Sequence, residues 1–167
     1  MKKIIKEIIP YIVIIVFVVL FRTFIATPIR VDGPSMEDTL KNGDILILNK
    51  LDRSFKRFDI VVIYKRDIRL IKRIIGLPGE NIEYKDNILY INGEEIEDVS
   101  LIRTGDFTLD ELYDIDRIPE GYYFVMGDNR TVSKDSRYYD IGLIKKSEIS
   151  GTTSFRLFPF NKIGKIK

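Results

Sequence analysis

The sequence contains no cysteine and no histidine, and these two absences remove most routes to covalent and metal chemistry. Without cysteine there is no disulfide, no thiol nucleophile and no thiolate metal site, and without histidine there is no imidazole base. Ser-His-Asp, Cys-His and HExxH chemistry are therefore excluded. A hydrolase built from this chain must take its base from a carboxylate, a lysine or an N-terminal amine. A concentrated basic face is missing too. Residues 1 to 26 hold four basic side chains against the single acid Glu7, and the remainder carries 23 basic and 24 acidic residues, so nucleic acid is not an expected partner. A chain of 167 residues allows one domain plus an appendage.

What the chain does have is a long uncharged run. From Ile8 to Phe21 only Pro10 and Tyr11 are neither aliphatic nor Phe. Extended from Ile4 to Ala26, with Lys6 and Arg22 snorkelling to opposite interfaces, the segment makes a helix of about 34 Å, enough to cross a bilayer. Phe24, Ile25 and Ala26 followed by Thr27 and Pro28 make a poor cleavage site, so the segment reads as a retained anchor and not an export signal. Basic residues crowd its N-terminal flank, which places Met1 in the cytoplasm and residues from about 27 onward outside. The expected division is an anchor over residues 1–26 and an extracytoplasmic domain over 27–167.

That domain reads as mainly β. Short strand-like runs at Asn81 to Tyr84, Ile88 to Ile91 and Glu94 to Glu97 are separated by Asp86-Asn87 and Asn92-Gly93, the latter a strong hairpin signal. Asp44 to Leu48, Ile60 to Tyr64 and Arg69 to Ile75 are further aliphatic-rich runs, and no long helical period follows Phe21.

Three segments carry candidate chemistry. Ser35 follows Gly33-Pro34, a sharp turn able to present both a hydroxyl and a backbone N–H, although serines in turns commonly serve local backbone groups. Lys72 alternates with Leu70 and Ile74 in a strand-like run, where desolvation favours a neutral amine; edge-strand lysines that deter aggregation are the ordinary alternative. The third segment, Gly127 to Arg137, is dense in turn formers and opposite charges, as a solvated loop also is. Its Ser and Asn side chains are groups able to orient a neutral amine without adding negative charge.

Taken in order behind an anchor, the Gly-Pro-Ser-Met turn, the run Lys72 to Glu80 and the loop Gly127-Asp128-Asn129-Arg130-Thr131-Val132-Ser133-Lys134-Asp135-Ser136-Arg137 closely resemble bacterial type I signal peptidases. Gly43 to Ile45, Phe58 to Val62 and Phe158 to Gly164 look like further parts of that family. The resemblance implies the β fold shared by signal peptidases and self-cleaving repressors, with Ser35 as nucleophile and Lys72 as general base. Ser133 would orient the lysine amine, while Arg73, Asp128, Asp135 and Arg137 would shape the site through ion pairs. Ile29, Val31, Gly33, Met36, Leu40, Leu70 and Ile71 would bind an extended substrate, a signal-peptide-bearing preprotein presented at the membrane lipid. No metal or cofactor is implied. Two positions depart from the family pattern: Asp38 stands where Pro is common, and Gly33 where some members place an oxyanion-stabilising Ser, leaving the Ser35 N–H as the nameable donor. A tethered β domain without catalysis and a self-cleaving Ser-Lys protease are the competing readings; the second lacks an upstream DNA-binding domain and a scissile Ala-Gly or Cys-Gly pair.

Overall fold

The computed structural model describes residues 2–37 and 39–166, with side-chain surroundings from residue 7 onward. Asp38, and the side chains of Lys2, Lys3 and Lys6 that set the expected orientation, lie outside the described residues. The first element is α1 (Lys2–Phe24), whose stretch Glu7–Phe24 has a mean hydropathy of 2.2 and no buried residue. A helix so uniformly apolar and so fully exposed cannot be a core helix in water. It is long and apolar enough to cross a membrane.

The rest is strand. β1 (Ala26–Arg30), β2 (Ile45–Asn49), β3 (Ile60–Lys65) and β4 (Ile68–Gly76) are followed by the short β5 (Ile82–Lys85), β6 (Ile88–Ile91), β7 (Glu94–Ile96) and β8 (Phe107–Thr108). After one turn of helix, α2 (Leu109–Tyr113), come β9 (Tyr122–Met126), β10 (Ile144–Lys145), β11 (Ile149–Phe158) and β12 (Gly164–Lys165). One sheet runs β1-β2-β11-β3-β4-β9-β10 with β12 on β11, and a second runs β7-β6-β5-β8. All paired neighbours are antiparallel. The expected mainly β class with a single N-terminal helix is the observed one.

Local sequence explains the hairpins. Asn92 and Gly93 adopt φ 53° and 83°, as a two-residue turn between right-twisted strands demands. Arg66 and Asp67 close β3 and β4 with φ 47° and 65°, a strained choice for Arg that nothing in its local chemistry announces. β4 sorts its alternate residues into different cores. Ile71 packs with Ile29, Val31, Met36, Leu40 and Leu46; Ile74 packs with Val61, Ile63 and Val125; Ile75 packs with Ile82, Tyr84 and Phe124 beneath the second sheet. Burying each such side chain stabilises the fold by about 2 kcal/mol, so β4 is the strand that ties the three cores together.

Two strand edges remain open, and they face one cavity. β1 pairs only with β2, and β4 meets β9 only from Arg73 onward. Val31 directs both backbone groups toward residues 43 and 44, which turns those of Arg30 and Asp32 the other way. Ile74 likewise bonds to residues 58 and 59, so the backbone groups of Arg69 and Ile71 point outward.

Candidate active site

Ser35 sits at the start of a turn entered through Gly33, whose φ of 90° suits glycine and whose N–H donates to Asn42 Oδ1 at 3.1 Å. Behind it, Glu37 N–H donates to the Pro34 carbonyl and Leu40 N–H to that of Met36, so buried Met36 and Leu40 anchor the turn into the core. The Ser35 carbonyl accepts from Asn129 N–H at 3.1 Å, which joins this turn to the loop after β9.

Lys72 comes from β4, opposite Val61 of β3, and is 2% exposed. Its Nζ lies 2.7 Å from Ser35 Oγ. Burial lowers its pKa from 10.5 to about 8; Asp135 opposes this, Arg137 assists it, and Asp128 opposes it. Both carboxylates are occupied elsewhere. Asp128 accepts from Arg73 Nε and Nη2 at 2.8 and 2.6 Å and from Thr39 Oγ1 at 2.5 Å. Asp135 accepts from Arg137 Nε at 2.8 Å and from Gly127 N–H at 3.0 Å. Each negative charge near the amine therefore carries its own cation, and desolvation decides the direction.

The loop over residues 127–137 is packed as tightly as a core. A side chain at Gly127 would collide with Ser133 Oγ and the Ser35 carbonyl. The hydrogen bond expected from Ser133 to Lys72 is not formed: Ser133 is 1% exposed, its N–H donates to the Asn129 carbonyl, and its hydroxyl has no partner among the described residues. The lysine's one side-chain partner among the described residues is Ser35.

A cavity of about 360 Å³ opens beside the Ser35–Lys72 pair between β1 and β4. Val31, Met36, Leu70 and Ile71 line it, as read from the sequence. Ile29, Leu40 and Gly33 do not. Ile29 and Leu40, 5% and 0% exposed, pack in the same core cluster as Val31, Met36 and Ile71 but do not reach the cavity wall. Gly33 shapes the turn through its φ and lines nothing.

Sequence reasoning missed the charged rim, formed by Arg30, Asp32, Asp67 and Arg69 with Tyr64. Alternation around buried Val31 was the available signal for the first two. It also missed the role of Arg130, whose side chain is fully buried, pairing with Asp98 at 2.6 Å and donating to Tyr84 Oη and Thr104 Oγ1. Arg130 thereby locks the loop onto the second sheet. Among the described residues no cluster of acidic side chains is suited to a metal ion.

Residues 2–158 match the family described as signal peptidase, peptidase S26. The chain is 40% identical over 169 residues to signal peptidase I of Bacillus caldolyticus, covering 92% of this chain and 91% of that one. It is 42% identical over 165 residues to signal peptidase I S of Bacillus subtilis strain 168, covering 92% and 89%. The crystal structure of a signal peptidase I from Enterococcus faecalis V583 superposes with a TM-score of 0.54 at 40% identity, over 59% of this chain and 96% of that one.

Proposed function

Because the chain belongs to the signal peptidase family, peptidase S26, we propose that Ser35 is its nucleophile, Lys72 its general base and the cavity between β1 and β4 its substrate groove. The protein is a membrane-anchored serine endopeptidase that removes signal peptides. The observation that carries the residue assignment is the buried amine 2.7 Å from the Ser35 hydroxyl. A lysine becomes a base near neutral pH only where its charged form is penalised, and here burial imposes that penalty.

In the proposed reaction neutral Lys72 takes the Ser35 proton while Oγ attacks the scissile carbonyl, and the Ser35 N–H stabilises the oxyanion. The protonated amine then gives its proton to the leaving amine, and water activated by the same lysine resolves the acyl-enzyme. The family resemblance assigns the orienting role to Ser133, whose buried hydroxyl has no partner among the described residues and is open to such a bond. Arg73, Asp128, Asp135 and Arg137 hold the surrounding backbone without moving protons. The preprotein docks extended, its main chain pairing with the free backbone groups of residues 30, 32, 69 and 71, which is β-augmentation. Val31, Met36, Leu70 and Ile71 then restrict the side chain before the cut to a small one.

Residues 27–167 form the peptidase unit outside the membrane, with the N-terminus of α1 inside. Anchoring keeps this unit in the bilayer that also holds the substrate's apolar segment, which raises their effective concentration. The test is to incubate the purified full chain with a preprotein and sequence the new N-terminus. Cleavage after a small residue that Ser35→Ala abolishes supports the reading; a Ser35→Ala variant that still cleaves defeats it. Protease added to intact spheroplasts should digest residues beyond about 30, and protection there would reverse the proposed orientation.

A further inference from the structure

The groove rim carries charges with no ion-pair partner among the described residues. Arg30 and Asp32 stand on the β1 wall, exposed on either side of buried Val31, so they share one face. Asp67 and Arg69 stand on the opposite wall, at the β3–β4 turn and the start of β4, and both are exposed. All four line the same cavity as Ser35 and Lys72. None takes part in the ion pairs found among the described residues, which join other side chains within 4.0 Å.

The signs are arranged. Position 32 precedes 35 by as many residues as 69 precedes 72, and the same holds for 30 and 67. Each wall also offers one cation and one anion to the same cavity, Arg30 and Asp32 on one side and Arg69 and Asp67 on the other. Opposite charges are thus available across the groove in the combinations Asp32 with Arg69 and Arg30 with Asp67. An extended peptide filling the groove through backbone pairing leaves its outer surface beneath these four side chains. Long Arg side chains reach over such a strand while their carboxylate partners wait on the other wall.

We propose that Asp32 with Arg69, and Arg30 with Asp67, form two charge pairs that close over the bound signal peptide and hold it in the groove. The inference rests on the groove reading above. β1 follows α1 directly, so the far end of the groove lies toward the anchor. The Arg30–Asp67 pair thus covers substrate residues farther upstream of the cut than the Asp32–Arg69 pair does. The clasp acts on affinity and leaves proton transfer alone.

The experiment uses the full chain in detergent with Ser35→Ala as the non-cleaving background, titrated with a fluorescein-labelled synthetic signal peptide that spans the cut. Arg69→Asp should weaken Kd about fivefold, and Asp32→Arg with Arg69→Asp should return it to within about twofold of the parent. Raising salt from about 0.05 to about 0.5 M should erase most of the difference, because the pairs are at the surface. Arg30→Asp and its swap with Asp67→Arg should behave alike at smaller amplitude. Unchanged Kd in Arg69→Asp, or a swap as weak as the single reversal, overturns the clasp. Rescue by the swap while the Ser35 enzyme cleaves no preprotein leaves the clasp standing and defeats the peptidase reading instead.

Discussion

The two faces of β4 treat a buried cation in opposite ways. Arg73 is 5% exposed and fully satisfied: two guanidinium nitrogens donate to Asp128, and Nη1 donates to the Phe58 carbonyl at 2.8 Å. Lys72, its neighbour, is 2% exposed and has a neutral hydroxyl as its side-chain partner. A protein can bury a positive group by pairing it or by letting it give up its charge. Arg cannot lose its proton and takes the first course; Lys can, and takes the second. Residues one position apart thus become a structural strut and, in the proposed mechanism, a base.

Exchanging the two chemistries should have the largest effect. In Lys72→Arg the side chain stays protonated at any working pH, so cleavage should fall by more than about a thousandfold, to the level of Ser35→Ala. Preprotein processing measured against enzyme concentration checks this; an active Lys72→Arg would mean that a carboxylate is the base. Next in size is the strut. Asp128→Ala leaves Arg73 buried without its counter-charge and should destabilise the fold by about 3–5 kcal/mol, read from denaturant unfolding of the detergent-solubilised chain. A loss under about 1 kcal/mol would show that Arg73 reaches water and that the contrast with Lys72 is false.

How much of this was legible depends on the range of the interaction. The hairpins of β5 to β7 and the β2, β3 and β4 runs follow from alternation and from Asn92-Gly93, all local signals. β11 was not read. It holds Gly151 and five polar residues, bends at irregular registers and is fixed by pairing with β2 and β3, about a hundred residues away in sequence. The site divides in the same way. Lys72 between Leu70 and Ile74 announces a desolvated amine, whereas its meeting with Ser35, 37 residues earlier, came only from the family resemblance. The Arg130–Asp98 pair joins two sheets and leaves no local trace. Leu40 packs in the core and not on the cavity wall, a distinction local sequence does not draw, because an apolar residue near the candidate nucleophile reads alike in either place.

The lowered pKa of Lys72 sets the pH dependence. The amine is a base only when unprotonated, so kcat/KM, which reports the free enzyme, should rise about tenfold per pH unit below pH 8 and level off above it. Between pH 6 and 8 the gain should be about fiftyfold, because half the amine is unprotonated at pH 8. A profile that bends near pH 10 instead would mean that burial leaves the amine unperturbed, and β4 would then carry two ordinary cations.

The smallest effect tests the cost of that burial directly. The folded-state pKa is about 8 against 10.5 for the free side chain, so between those values the unfolded chain binds more protons and this group makes stability rise with pH. Below pH 8 the lysine is protonated in both states, and the penalty for burying its charge is fully present. Lys72→Met removes the penalty and keeps a similar apolar stem, at the loss of one hydrogen bond to Ser35 worth about 1 kcal/mol. At pH 7 the variant should therefore be more stable than the parent by about 2 kcal/mol while being catalytically dead. Its advantage should shrink as pH climbs from 8 toward 10.5 and vanish or reverse there, because the parent then buries a neutral amine. Every other titratable group is shared by the two proteins, so the difference between the two unfolding curves isolates Lys72. A Lys72→Met variant less stable than the parent at pH 7 would mean that the charged amine is welcome where it sits, and Lys72 would belong with Arg73 as a strut.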